Sequence, residues 1–325
     1  MFVFCNNCLN RGNNMRFSSL FRRGFSFALC AAAVCGWSAS AEEEQNGQIY
    51  AENEWNYVDV SLDTSKGIPE DAAGRLLAIK QTGRLTVATE PYFAPQEFID
   101  PALSGQESYV GADMELARLI AERMDVELEI VPLEFTRVLT SVADGSYDLA
   151  ISGLAYTPER TVDLELSKGY YYAEAGESNA LIVREKDLKE IKDTEDLGDK
   201  NIIAQMGSLQ ESLGVDNIPL YHEFRRVSSM DEIYDSLISG DSDAAIVDID
   251  NAKAYIASNP ECGLALVPDL FFSMDEQYKG DRIAAKKGET MLIAFVNGVI
   301  DEVLESGEYN EWFEEYSEYA ANIGE

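Results

Sequence analysis

Between Arg84 and Ala155 short apolar runs alternate with amphipathic stretches, and this alternation constrains the fold more than any other feature of the chain. RLTVATE, VELEIVP and YDLAISGLA read as strands. GADMELARLIAERMD puts Met114, Ala117, Ile120, Ala121 and Met124 on one helical face, with Asp113 near its start, and FTRVLTSVADGS reads as a helix ending near Gly145. Strand, helix, strand, helix, strand at this spacing predicts a parallel α/β sheet. A second set follows SNALIVRE: KNIIAQMGSLQESLG as strand, turn and helix, DEIYDSLISGDSDAAIVD as helix, turn and strand, then a helix from about Asn251. The chain returns through DRIAAKKG and finishes in a long helix from Glu289 and an acidic one, YNEWFEEYSEYA. Two α/β sets joined by two crossing strands predict two lobes with a cleft between them. Ligands of open α/β sheets sit beyond the carboxyl ends of the strands. Those ends carry Glu90, Ser152, Gly207 and Asp248.

The N-terminus reads as an export signal. From Met15, the expected true start, basic residues (Arg16, Arg22, Arg23) precede an apolar run of about 13 residues and the small-residue exit Ala39-Ser40-Ala41. A bilayer span needs roughly 20 apolar residues. Residues 1–41 are therefore expected to be removed near Ala41, leaving a soluble protein in an exported compartment, the periplasm. Residues 42–75 read as a polar extension with a helical lead-in. Of five cysteines only Cys262 survives cleavage, so no disulfide can form within the mature chain.

Charge narrows the partners. The chain carries 25 Lys and Arg against 59 Asp and Glu, a net −34, and losing the four Arg of the leader with no acid takes it to −38. Such a surface repels nucleic acid and anionic lipid alike, because both bind through Lys and Arg.

Catalytic motifs are scarce. The single histidine, His222, lies in the polar YHEFRR with no second His or Cys nearby, which argues against a zinc site or a His-based triad. Neither a Walker loop nor a dinucleotide-binding Gly motif is present. No cofactor, metal or catalytic residue is expected.

What remains is a set of groups suited to a zwitterion. Arg160 opens a helix just past the strand ending in SGLA, and a guanidinium grips a carboxylate through two parallel hydrogen bonds. Backbone N–H groups at Gly153, at Ala155 and in the MGSLQ turn are further anion donors. Asp248, ending DAAIVD, suits an ammonium or, more plainly, a helix cap. Phe93 and Phe135 each follow a strand end, where they could sandwich a side chain or simply pack in the core.

From about Arg84 to Phe313 the chain resembles the family 3 extracellular solute-binding proteins, the polar amino-acid receptors of ABC importers. LTVATEPYFAPQEF is similar to the family's opening strand and Pro turn, and YVGADMELARLIAERM to its vGfDvDL helix, with Ala112 in place of Phe. GSYDLAISGLAYTPERTVDLELSKGYY carries the most specific match, with its Gly-x-x-Asp strand and Thr-x-x-Arg helix start. MGSLQESL, SGDSDAAIVD and GVIDEVLESGEYNEWFEEY resemble later family segments.

The resemblance implies a type II periplasmic-binding-protein fold: two parallel-dominated sheets joined by two hinge strands. Lobe 1 would comprise residues 76–182 and 281–325, and lobe 2 residues 183–280. It implies that Arg160 holds an α-carboxylate with help from the backbone at Gly153, Ala155 and Leu209. Asp248 would hold the α-ammonium, with Ser152 and Gly153 supplying carbonyl or hydroxyl partners. Phe93 and Phe135 would sandwich the side chain, with Glu90 near its far end. Ala155 stands where the family usually has Ser or Thr, which removes one hydroxyl contact, and Leu166 replaces the usual Phe before Ser167. Glu90 and the net acid point to a polar or cationic amino acid. The implied partners are a free amino acid and a membrane permease, with the receptor a monomer. The alternatives on the same fold are a cyclohexadienyl or arogenate dehydratase, with Glu90 as acid, and a free-standing amino-acid sensor subunit.

Overall fold

A computed structural model describes residues 56–173, 178–273 and 279–323. The expected leader, four of the cysteines and the start of the extension lie outside the described residues.

The first part of the chain runs α1 (Gly74–Thr82), β1 (Arg84–Thr89), β2 (Tyr92–Phe93), β3 (Glu97–Ile99), β4 (Tyr109–Val110), α2 (Ala112–Met124), β5 (Glu127–Pro132), α3 (Phe135–Ala143), β6 (Leu149–Ala155), α4 (Arg160–Asp163) and β7 (Leu164–Tyr171). The chain then enters β8 (Asn179–Arg184), β9 (Asn201–Gln205), α5 (Leu209–Asn217), β10 (Glu223–Val227), α6 (Met230–Ser239), β11 (Ala244–Asp248), α7 (Ile249–Ser258) and β12 (Leu264–Phe272). It returns as β13 (Asp281–Lys286), α8 (Thr290–Ser306) and α9 (Glu308–Asn322).

Two five-stranded sheets result, ordered β5-β1-β6-β13-β7 and β10-β9-β11-β8-β12. Each is mixed rather than parallel-dominated. β5, β1 and β6 run parallel, as do β10, β9 and β11, but the crossing strands pair antiparallel: β13 with β6 and β7, and β8 with β11 and β12. A strand that leaves one sheet for the other enters from the opposite end, which reverses its direction. The second sheet also begins earlier than residue 183, because Asn179 already pairs with Asp248. PYFAPQEF, expected as a turn, contributes β2 and β3 to a small antiparallel sheet with β4.

The elements follow from the apolar pattern. On α2, Met114, Leu116, Ala117 and Ile120 are wholly buried, and burying each large one contributes about 1.5–3 kcal/mol. The helix ends at Asp125, whose left-handed backbone (φ 56°) lets its N–H close back on Ala121. Asp113 does not cap α2. It is fully buried and accepts from Gly153 N–H at 2.9 Å, the Tyr170 hydroxyl at 2.8 Å and the Tyr309 hydroxyl at 2.6 Å.

The extension is not a loose tether from Asn56 onward. Val58 N–H bonds Leu166 O on β7 at 2.9 Å, and Leu62 N–H bonds Ala294 O on α8 at 2.8 Å. Asn297 of α8 fastens it by donating to the carbonyls of Val58 (2.7 Å) and Val60 (3.0 Å) while accepting from Lys168 N–H (2.9 Å). Gly298 permits the approach, since a Cβ there would meet Leu62 O at 2.2 Å. The C-terminal helix α9 spans the lobes: Ala320 and Tyr316 pack with Phe98 of the first lobe and Ala254 on α7 of the second.

Candidate functional site

The strand ends meet around one cavity of about 50 Å³ between the two sheets. β1 delivers Glu90 just past its end, β2 delivers Phe93, and β6 supplies Ser152, Gly153 and Ala155. Phe135 opens α3, Arg160 opens α4, and from the second lobe Leu209 opens α5 behind the cap Ser208, whose Oγ accepts from Glu211 N–H at 3.0 Å. Eight of the nine residues expected at the site thus line this cavity.

Asp248 is the ninth, and it does not line the cavity. Its Oδ1 accepts from Asp250 N–H (2.9 Å) and Asn251 N–H (3.0 Å), so it caps α7. Two other expected roles change. The Gly153 N–H already serves Asp113, and the Ser152 hydroxyl is spent inside the frame: it accepts from Glu90 N–H at 3.0 Å and donates to Glu97 Oε1 at 2.8 Å. The Gly153 N–H and the Ser152 hydroxyl proton are thus both committed within the protein.

The lobes are joined across the cavity. Met230 N–H on the second lobe donates to Glu90 Oε1 at 3.1 Å, and Arg160 donates to the carbonyls of Ala155 (2.5 Å) and Gly207 (3.2 Å), one on each lobe. At the rim, Asn251 donates to Ala94 O at 3.0 Å and the Tyr171 hydroxyl to Asp250 at 3.3 Å.

The electrostatics are those of buried charge. Arg160 lies beside Phe135, its guanidinium carbon 5.5 Å from the ring centre. Burial lowers its pKa to about 10, against the opposing pull of Asp281 and Glu159, and no carboxylate comes within 4.0 Å of it among the described residues. Burial raises Glu90 to about 7, partly offset by the Met230 N–H and the Gln205 amide. Glu97, wholly buried, is pushed well above the usual carboxylate range by desolvation and then by the charge of Asp113. In its neutral form it can donate to Asp113. Asp281 is likewise raised well above that range by burial and by the charges of Asp113 and Asp248. One arginine therefore shares the cavity with three carboxyl groups, Glu90, Glu97 and Asp281.

Glu97, Gln205, Gln210 and Asp281 were not expected here. Gln205 ends β9 and was open to the same strand-end argument as Glu90. Asp281 begins a strand and Glu97 lies in the segment read as a turn, so neither carried that signal. Among the described residues no three His, Cys, Asp or Glu side chains gather to hold a metal, and no helix is long and apolar enough to cross a membrane. His222 is exposed, its Nδ1 3.0 Å from Asn201.

The model of the bacterial extracellular solute-binding proteins, family 3, matches residues 85–319, most of the chain. The chain belongs to that family. It is thus an exported solute-binding protein and not an enzyme. It is similar to the arginine-binding extracellular protein ArtP of Bacillus subtilis, 29% identical over 238 residues that cover 71% of this chain and 86% of the relative. A probable histidine-binding protein of Campylobacter jejuni is 26% identical, over 71% of this chain and 84% of its own length. Among solved structures, the amino acid ABC transporter substrate-binding protein AbpA of Streptococcus pneumoniae, bound to L-arginine, superposes with a TM-score of 0.68 at 35% identity, over 76% of this chain and 99% of that one.

Proposed function

We propose that this chain is the receptor of an ABC importer for a cationic α-amino acid, arginine above all. The observation that carries the reading is a buried arginine, Arg160, with no carboxylate within 4.0 Å among the described residues, set in a cavity that also holds the three acids Glu90, Glu97 and Asp281. A zwitterion with a cationic side chain answers both. Arg160 takes the α-carboxylate through two parallel N–H groups, and the N-terminus of α5 at Leu209 offers further N–H donors from the other lobe. Phe93 and Phe135 flank the aliphatic stem, and Glu90 with Gln205 receives the cationic end. The arginine- and histidine-binding relatives support a cation over glutamate or aspartate.

Closure is the mechanism. Ligand contacts on both lobes favour the closed arrangement, in which Glu90 and Arg160 already bridge to Met230 and Gly207. In this reading lobe 2 runs from the first crossing, before Asn179, to the second, before Asp281, and the remainder from about residue 56 forms lobe 1. The leader is cleaved near Ala41, and a soluble monomer in the periplasm hands its amino acid to a membrane permease.

The test is a thermal-shift screen of the chain from Glu42 against the twenty amino acids and ornithine. A ligand at a hundred times its Kd adds about 2.7 kcal/mol of stability. Arginine, lysine or ornithine should shift the melt, and Arg160→Ala should cost about 2–5 kcal/mol of binding energy by calorimetry. A response to glutamate or aspartate alone, or an unchanged Kd in Arg160→Ala, would overturn the reading.

A further inference from the structure

We infer that the N-terminal extension takes part in binding through Tyr57, a positioning residue that holds Arg282 and so fixes the start of β13 where that strand walls the cavity. The inference rests on the amino-acid reading above and deepens it. β13 begins at Asp281, which lines the cavity. The pairing there is irregular: the register of β13 slips just after Arg282 against β6, and on both sides of Arg282 against β7. Such bulges leave a residue outside the regular pairing, so the ladder alone holds the start of the strand weakly. Gly280, just before it, sits at a φ of +92° and has no side chain to anchor.

The anchor is the next side chain. Arg282 is buried and does not line the cavity, and its Nη1 donates to Ser167 O on β7 at 2.8 Å. Its guanidinium carbon lies 4.3 Å from the ring centre of Tyr57 and 5.3 Å from that of Tyr156. The two rings meet edge to face, 6.5 Å apart at 78°. Among the described residues no carboxylate comes within 4.0 Å of Arg282. A cation over a ring face is attracted by the ring's quadrupole, and more strongly where water is excluded. Tyr156 follows β6 and belongs to the lobe itself, whereas Tyr57 is brought by the extension. Its backbone sets it there: the Val58 N–H bonds Leu166 O, one residue from the carbonyl that Arg282 uses. This bond and the ring contact are made without Asn297, which holds the carbonyls of Val58 and Val60. Without Tyr57 the start of β13 gains freedom, and a ligand touching that wall has to remove it on binding. Ordering of this kind is drawn from affinity, so a wall already held in place favours capture.

The experiment measures arginine binding by calorimetry on the mature chain, on its Tyr57→Phe, Tyr57→Leu and Arg282→Gln forms, and on the double form Tyr57→Leu with Arg282→Gln. Tyr57→Leu keeps apolar bulk but loses the ring face, and should weaken arginine by about 3- to 30-fold. Tyr57→Phe keeps the ring and should bind within about twofold of the wild type. Arg282→Gln retains a donor for Ser167 O and should show a loss like that of Tyr57→Leu. Because the two residues act as one clamp, the double form should be no more than about twofold weaker than either single form. A brace that serves stability alone would lower the melting temperature of these forms and leave their Kd unchanged. A wild-type Kd in both Tyr57→Leu and Arg282→Gln would therefore overturn the inference. So would losses that add in full in the double form, or a Tyr57→Phe form as weak as Tyr57→Leu. Should Tyr57→Leu not fold, Arg282→Gln carries the test, and an unchanged Kd there overturns the inference. If the wild-type chain binds no free amino acid, the functional reading itself falls, and that outcome is distinct from a wild type that binds arginine with Tyr57 idle.

Discussion

Acidification should release the ligand, and Glu90 sets where. Burial holds its carboxyl at about 7 against an ordinary 4.5, with Asp231 adding to the rise and the Met230 N–H and the Gln205 amide opposing it. A cationic side chain pairs only with the ionised form, so the apparent Kd scales as 1 + 10^(pKa − pH). That factor is near one at about pH 8.5 and about 30 at about pH 5.5, equivalent to about 2 kcal/mol of binding. The same shift acts on the empty protein with the opposite sense. A raised folded-state pKa stabilises fully below the unfolded value of 4.5, and the stabilisation is lost as pH rises through about 7, a difference of about 3 kcal/mol. The ligand is therefore held most tightly where the empty site is least comfortable. Calorimetry with arginine from about pH 5 to 9, in two buffers of different ionisation enthalpy, reads both the affinity and the proton released on binding. Glu90→Gln should flatten the profile and lose affinity at high pH. Affinity that is flat across this range in the wild type, or that rises toward acid, would refute the reasoning.

Two further substitutions test the frame around the site. Asn297→Ala leaves the carbonyls of Val58 and Val60 and the Lys168 N–H without their partner, and should cost about 1–3 kcal/mol in urea unfolding while arginine affinity holds. A midpoint equal to that of the wild type would mean the extension does not fasten the first lobe. Gly153→Ala puts a Cβ 3.0 Å from the Phe93 ring at a backbone φ of +51°, so stability should fall by about 1 kcal/mol or more and affinity with it. Full affinity in that variant would show that Phe93 need not stay in place.

The sheets were legible because apolar runs such as LTVA and LAIS stop abruptly at polar residues, and those stops are strand ends. Glu90, Ser152 and Arg160 were found this way, and they do surround the cavity. The same rule failed at Asp281 for a geometric reason. β13 is antiparallel to β6, so its first residue lies at the edge where β6 finishes, and a search of strand ends passes over strand beginnings. Asp113 illustrates a different failure. It was placed only near a helix start, and its role in the core left no local pattern because the two tyrosines that donate to it lie more than fifty residues away. β10 went unread because EFRRV is an edge strand whose exposed face is charged, so no apolar alternation marks it. The extension looked like a tether because its hold on the first lobe comes from backbone groups and a distant Asn297, none of which leaves a local pattern.

These acids also bear on how closure can be made to depend on the solute. In the closed arrangement Glu90 is buried and reaches across to Met230, so its ionisation above about pH 7 opposes closure in an empty site. When the lobes part, water can reach the carboxylate and that opposition fades. A bound cation reverses the balance by pairing with the charge inside the closed site, and Arg160 does the same from the opposite sign once a carboxylate arrives. The free energy separating the liganded from the empty closed form is then largely the desolvation of groups that the solute neutralises. A solute lacking either charge would relieve only part of it. On the proposed reading, selectivity for a cationic zwitterion and coupling to closure would arise from the same buried groups.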